Sequence, residues 1–184
     1  MKSSRIRPWH VLSETTLVER YWLSIKEQHV RLGNGSEIEQ FHLIHGPSWA
    51  AVLCLTVDDQ VVFVHQYRHG AGALCLELPA GVIDANEGAE QAARRELLEE
   101  TGYQASAFEP LLSVVPEPAR NTARAAFFFA RAGECVGAPS LDANEDMEVV
   151  LVPRAEIPTL VESGEIVHGV HIAALLLALR RGWL

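Results

Sequence analysis

The chain has 184 residues, 48% of them hydrophobic and 21% charged, with a formal net charge of −9. That composition fits one globular domain, or one domain with a small extension, able to bury a core without disulfides. The acidity argues against a general nucleic-acid binder, which carries a basic patch, but leaves room for a polyphosphate substrate whose charge a metal ion offsets.

Cys54, Cys75 and Cys135 form an odd set without zinc spacing and read as reduced thiols of a cytoplasmic protein. The opening MKSSRIRPWH lacks the apolar core of a signal peptide. The late apolar run over residues 172–179 is too short to cross a bilayer, so no membrane association is expected.

In chain order, residues 1–20 show no clear pattern, and Pro8 and Trp9 mark an ordered but irregular start. Residues 21–32 and 38–45 read as strands joined at Gly33-Asn34-Gly35, a turn that tolerates positive φ. An apolar strand over 49–56 turns at Asp58-Asp59 into a β-branched strand over 61–67. After Gly70-Ala71-Gly72, a short strand over 74–78 stops at Pro79.

The polar loop 84–87 opens a helix near Glu87, with Asn86 as a candidate N-cap and Gly102 as the C-terminal stop. Strands follow over 108–115 and 123–130, on either side of the Pro116–Arg120 loop. A loop over 135–145, a strand over 148–152 and helices over 154–163 and 170–181 complete the chain. Strands around a central helix, with further helices late, indicate an α+β fold.

The central helix carries the chemistry. Residues three and four apart share a helix face, so Glu96, Glu99 and Glu100 point the same way. Three carboxylates there repel one another, and no lysine is interleaved, which disfavours a merely solvated face. A hard divalent cation, Mg2+ or Mn2+, resolves the repulsion and brings affinity for phosphate oxygens. Ala89, Ala92 and Ala93 fall on roughly the same side and let the helix approach a sheet. Arg95, four residues before Glu99, is placed to pair with and orient that carboxylate. Gly81 allows a sharp turn, and Glu87 caps or braces the loop. The eight histidines show no ligand spacing, and no P-loop, nucleophile elbow or dinucleotide-binding glycine pattern occurs.

Gly81, Glu87, Arg95, Glu96, Leu97, Glu99, Glu100, Gly102 and Tyr103 stand at fixed spacings within 23 residues. This stretch resembles the Nudix box, the signature of the Nudix hydrolases, with aromatic Tyr103 at a usually aliphatic place. Gln66-Tyr67-Arg68 and Glu77-Leu78-Pro79-Ala80-Gly81 resemble segments of the ADP-ribose and nucleotide-sugar pyrophosphatase branch. So do Pro118, 16 residues after Gly102, and the acidic stretch 144–149. Ala119 stands where that branch often has glycine, and Ala143 where a further carboxylate can occur.

The resemblance implies an α/β/α sandwich with a mixed sheet between helices over residues 47–184. A small antiparallel subdomain of dimerisation type, residues 1–46, precedes it, and the chain is expected to be a homodimer. The implied activity is metal-dependent hydrolysis of ADP-ribose or a related nucleoside diphosphate sugar to nucleoside monophosphate and sugar phosphate. The metal is Mg2+ or Mn2+, held by Glu96, Glu100, the Ala80 carbonyl and Glu99, the last directly or through water. Glu99 and Glu145 are the catalytic carboxylates, Glu145 as general base or further ligand, with Asp142, Asp146 and Glu148 near enough to substitute. Arg68, Glu77 and the Pro118 loop are the substrate-binding set, Arg68 on the phosphates. Rival readings are a GDP-mannose-type pyrophosphatase, a non-catalytic ADP-ribose sensor and an RNA pyrophosphohydrolase. The intact carboxylate set weighs against the sensor, and the acidic charge against an RNA substrate.

Overall fold

A computed structural model describes residues 6–184; Met1–Arg5, part of the basic N-terminal stretch, lie outside the described residues. The described chain forms two compact units, residues 6–47 with Val115–Arg124, and Ser48–Val114 with Ala125–Leu184.

The first unit is a three-stranded antiparallel sheet of β1 (His10–Arg20), β2 (Leu23–Arg31) and β3 (Glu37–His45), in that order. The irregular start expected over residues 1–20 is corrected: β1 is an 11-residue strand. Its side chains are almost all exposed, so no buried face imposed an alternating pattern on the sequence. Gly35, at φ 92°, turns β2 into β3 and donates its N–H to Leu32 O at 3.0 Å. Residues 115–124 join this unit through main-chain bonds, Ile44 N to Arg120 O at 2.7 Å and Thr122 N to Ile44 O at 3.0 Å.

The second unit holds an eight-stranded mixed sheet. Its strands are β4 (Trp49–Thr56), β5 (Gln60–Arg68), β6 (Ala73–Glu77), β7 (Ala80–Val82), β8 (Tyr103–Gln104), β9 (Ala107–Val114), β10 (Ala125–Cys135) and β11 (Met147–Pro153). The main path runs β11-β5-β4-β10-β8, with β6 on β5, β7 on β4 and β9 on β10. The β4–β10 pair is parallel and the others are antiparallel.

Helix α1 (Ala89–Thr101) covers one face, and α2 (Ile157–Ser163) and α3 (Gly169–Arg180) cover the other. β4 shows why its sequence is apolar throughout rather than alternating. Ala51, Leu53 and Leu55 share a core with Phe127, Phe129, Ile157 and Leu175, whereas Ala50, Val52 and Cys54 share one with Ala92, Ala93 and Leu97. A strand buried on both faces has no solvent side to mark. This is the expected α/β/α sandwich. No helix among the described residues is long and apolar enough to cross a membrane.

Two details position the site. First, β4 and β5 pair at Leu55 and Val61, beside the tight turn at Asp59 (φ 62°), and then part. β5 takes β6 and β11 as neighbours while β4 takes β7 and β10. The chain from Glu77 to Ala80 crosses from one side of this gap to the other. There Pro79 O accepts Val52 N–H at 3.0 Å.

Second, α1 starts at Ala89, two residues after Glu87, and its N-cap is Gly88, not Asn86. Asn86 instead takes the left-handed conformation at φ 78°. The Glu87 carboxylate is already engaged by Arg95 and by Asp84 N–H, and Gln91 Oε1 accepts Gly88 N–H at 2.7 Å. At its far end, Gly102 adopts φ 71° and donates its N–H to Leu98 O at 2.8 Å. A Cβ at position 102 would also strike Gly137 O. The helix expected over 154–163 divides into a 3-10 turn, Arg154–Glu156, and α2.

Gly102→Ala is therefore expected to lower unfolding free energy by about 2 kcal/mol, combining left-handed strain with the main-chain collision. Urea denaturation of the two proteins measures the difference.

Candidate active site

Two carboxylates on the sheet-facing side of α1 are withdrawn from water: Glu96 is 7% exposed and Glu100 3%. Such burial needs compensation. Glu100 Oε2 accepts the Ala80 N–H at 2.9 Å, which ties α1 to the start of β7. Glu96 lies against the main chain at Gly81, where a Cβ would run into its carboxylate. Glycine at 81 is required for that close approach. Ala92 and Ala93, fully buried against β4, let the helix come near enough.

The electrostatics are those of an anionic cluster short of positive charge. Burial pushes the Glu100 carboxyl up to about 8; repulsion from Glu96 and Glu145 adds to this, and the Ala80 N–H and Arg68 oppose it. Burial also raises Glu96, against the pull of Arg95.

Arg95 is the organiser of the helix face. Its Nε and Nη2 donate to the two oxygens of Glu87 at 3.0 and 2.9 Å, and Nη2 also reaches Val82 O at 3.0 Å. Nη1 donates to Glu96 at 2.6 Å and Glu99 at 3.1 Å. These contacts match the five N–H donors of a guanidinium. The expected Arg95–Glu99 pair is present, but Glu87 is the larger partner: its bond leads the effects that hold Arg95 charged. In return Arg95 holds the Glu87 carboxyl below the usual range.

A cavity of about 690 Å3 opens beside Glu100, and Arg68, Ala80, Glu145, Asp146 and Glu148 also line it. Glu145 precedes β11 in a loop closed on itself: its Oε2 accepts Asp142 N–H at 2.9 Å and its own N–H donates to Asp142 O at 2.9 Å. Arg68, at the end of β5, donates through Nη2 and Nε to Glu77 Oε2 at 2.6 and 2.9 Å. Glu77 is 2% exposed, while Arg68 remains open to the cavity.

The structure thus gathers Ala80, Glu96, Glu100 and Glu145, with Arg68 and Glu77 forming an ion pair at the wall. Glu99 is more open to solvent and held by Arg95. Pro118 belongs to the unit of the N-terminal sheet, inside the turn in which Glu117 O accepts Asn121 N–H at 3.0 Å. Tyr67 and Leu74, exposed residues lining the cavity, were not singled out from the sequence as site residues. Their cross-strand pairing becomes legible once β5 and β6 are recognised as a hairpin around Gly70 and Gly72.

Among the described residues no three acidic, histidine or cysteine side chains converge into a ready-made metal cage. The donor chemistry nevertheless fits a hard divalent cation: the donors are oxygens, two are buried carboxylates with raised pKa, and Mg2+ completes its shell with waters and phosphate oxygens.

The family model of the NUDIX domain matches residues 46–173. The chain belongs to the NUDIX domain family. An ADP-ribose pyrophosphatase of Mycobacterium tuberculosis is 32% identical over 172 residues, 91% of this chain and 82% of that protein. An ADP-ribose pyrophosphatase of Bacillus subtilis is 30% identical, over 76% of this chain and 75% of that one. A crystal structure of an ADP compounds hydrolase superposes with a TM-score of 0.82, over 99% of this chain and 97% of that one, at 24% identity; it establishes the shared fold. With these relatives the chain falls among the Nudix hydrolases, in their ADP-ribose pyrophosphatase branch.

In this Nudix chain Glu100 carries a pH signature. Its carboxyl titrates at about 8 when folded, against an ordinary 4.5. Between those values the folded state keeps a proton that the unfolded chain has released, so metal-free stability falls as pH rises. Glu100→Gln, which keeps an acceptor for Ala80 N–H, is expected to remove the Glu100 share of this slope and to be more stable than wild type by about 3 kcal/mol near pH 7 without metal. Chemical denaturation in a chelator at pH 5, 7 and 8.5 checks both sign and size.

Proposed function

We propose that this chain is a metal-dependent ADP-ribose pyrophosphatase, adding water across the diphosphate of ADP-ribose to give AMP and ribose 5-phosphate. The observation that carries the reading is the juxtaposition of Glu96 and Glu100, buried against Ala80–Gly81, with Glu145 lining the same cavity as Glu100. The relatives named ADP-ribose pyrophosphatase, in Mycobacterium tuberculosis and Bacillus subtilis, support the choice of substrate.

Glu96, Glu100 and the Ala80 carbonyl would hold the divalent cation, Mg2+ or Mn2+, with Glu99 completing the set directly or through water. Bound there, the cation would supply positive charge to the diphosphate and lower the pKa of water beside it. Arg95 keeps Glu99 and Glu96 oriented from behind. Arg68 presents its guanidinium to a phosphate while Glu77 fixes its approach, and a planar fork suits that geometry. Glu145, on a loop able to close over substrate, orients the attacking water and takes its proton. One phosphorus–oxygen bond to the water forms and one in the diphosphate bridge breaks, with AMP or ribose 5-phosphate as leaving group.

We read residues 1–46 as a dimerisation subdomain, residues 47–184 as the hydrolase domain, and the Pro118 loop as a contributor to substrate selection. A second copy of the chain is supported by the exposed apolar side chains Val11 and Leu17 on β1 and by Tyr21 and Trp22 at its end. A cytoplasmic setting is supported by three free thiols, two of them buried.

Glu100→Gln is expected to lower kcat for ADP-ribose more than about 100-fold, while circular dichroism stays native. A fully active variant would overturn the metal-site assignment. A panel of ADP-ribose, GDP-mannose, UDP-glucose, diadenosine polyphosphates and capped RNA, each with Mg2+ and Mn2+, is expected to give its highest kcat/KM for ADP-ribose. Preference for capped RNA would remove the chain's substrate from this branch.

A further inference from the structure

The crossing between β6 and β7 has a polar problem of its own. Glu77 ends one ladder and Ala80 begins the next, so the Leu78 N–H lies in the gap where β4 and β5 part. Leu78 is 1% exposed, and a main-chain donor buried there needs an acceptor. It finds one 93 residues away: the Leu78 N–H donates to Nδ1 of His171 on α3 at 3.0 Å.

His171 is itself 1% exposed. Its ring meets the edge of Phe127 at 5.4 Å, lies 5.8 Å from Trp49 and stacks on His168 at 4.2 Å. Packing on three sides fixes where Nδ1 points. Because Nδ1 accepts, the ring proton sits on Nε2 and the imidazole is neutral. Burial, His168 and Arg68 all oppose a charge on it, and the nearby Glu77 carboxylate is committed to Arg68.

We propose that His171 is a positioning residue for the hydrolysis: by accepting the Leu78 N–H it fixes the crossing from Glu77 to Ala80. That crossing has a functional contact at each end. Glu77 carries the ion pair with Arg68, and Ala80 donates to Glu100. A shift at Leu78 therefore moves the phosphate-facing arginine and the buried carboxylate together. The inference rests on the pyrophosphatase reading.

The test compares His171→Leu, which fills similar space without an acceptor, with His171→Asn, whose side-chain oxygen can take the place of Nδ1. His171→Leu is expected to lose at least about 10-fold in kcat for ADP-ribose with KM changed less than about 3-fold, whereas His171→Asn stays within about 3-fold of wild type. The Leu78 amide is expected to exchange slowly in wild type and His171→Asn and at least about 10-fold faster in His171→Leu. Wild-type kinetics in His171→Leu, or equal damage in both variants, overturns the proposal. If His171→Leu does not fold, 15N shifts of the wild-type imidazole decide: a proton on Nδ1 overturns it, and a proton on Nε2 together with an active His171→Asn upholds it. If wild type turns over no ADP-ribose, the pyrophosphatase reading falls by itself, while amide exchange and tautomer still report whether His171 anchors the crossing.

Discussion

One hydrogen bond joins the two halves of the site: Ala80 N–H to Glu100 Oε2 at 2.9 Å. On one side stands α1, whose position is set by Ala92, Ala93 and Leu97 against β4. On the other stands the chain that has just crossed from β6 to β7. If β4 and β5 had stayed paired along their length, this crossing would have no gap to occupy, and no main-chain donor would face the helix. The parting of two central strands is thus what brings backbone polarity into the middle of an otherwise apolar sandwich. A carboxylate buried there is costly unless it meets such donors or a cation.

Around that bond the charges are graded. Arg95 steadies the outer face of α1 and the loop before it, where Glu99 and Glu87 are more open to water than Glu100. Deeper in, Glu100 has, among the described residues, only a neutral N–H as its hydrogen-bond partner and is pushed toward protonation. The gradient runs from an ion-paired exterior to a buried carboxyl in which burial disfavours the charge. That is the electrostatic arrangement a binding site for a small multivalent cation needs.

Much of this was legible in the sequence, for identifiable reasons. The carboxylate face follows from helical spacing alone, and β4 follows from an unbroken apolar run between turns. Gly102 announced the helix end because only a left-handed residue closes it there. What stayed hidden had no local signature. β1 has no buried face, and β7 is only three residues long. Glu87 braces its loop at Asp84 N–H, as expected, but its pairing with Arg95 is decided eight residues downstream. Glu77 and Arg68 form their pair across a hairpin, and His171 reaches Leu78 across most of the domain. Such contacts arise from topology, not from any pattern of neighbours.

Arg95 has a further consequence for how natural variation here should be weighed. Its guanidinium spends every donor on Glu87, Glu96, Glu99 and Val82. Lysine would conserve the charge, and substitution tables rank the exchange as mild. Yet an ammonium has three donors on a single nitrogen, too few and too close together to reach acceptors spread along a loop, a strand and a turn of helix. At this position, the exchange that looks gentlest by chemistry is among the harshest by geometry.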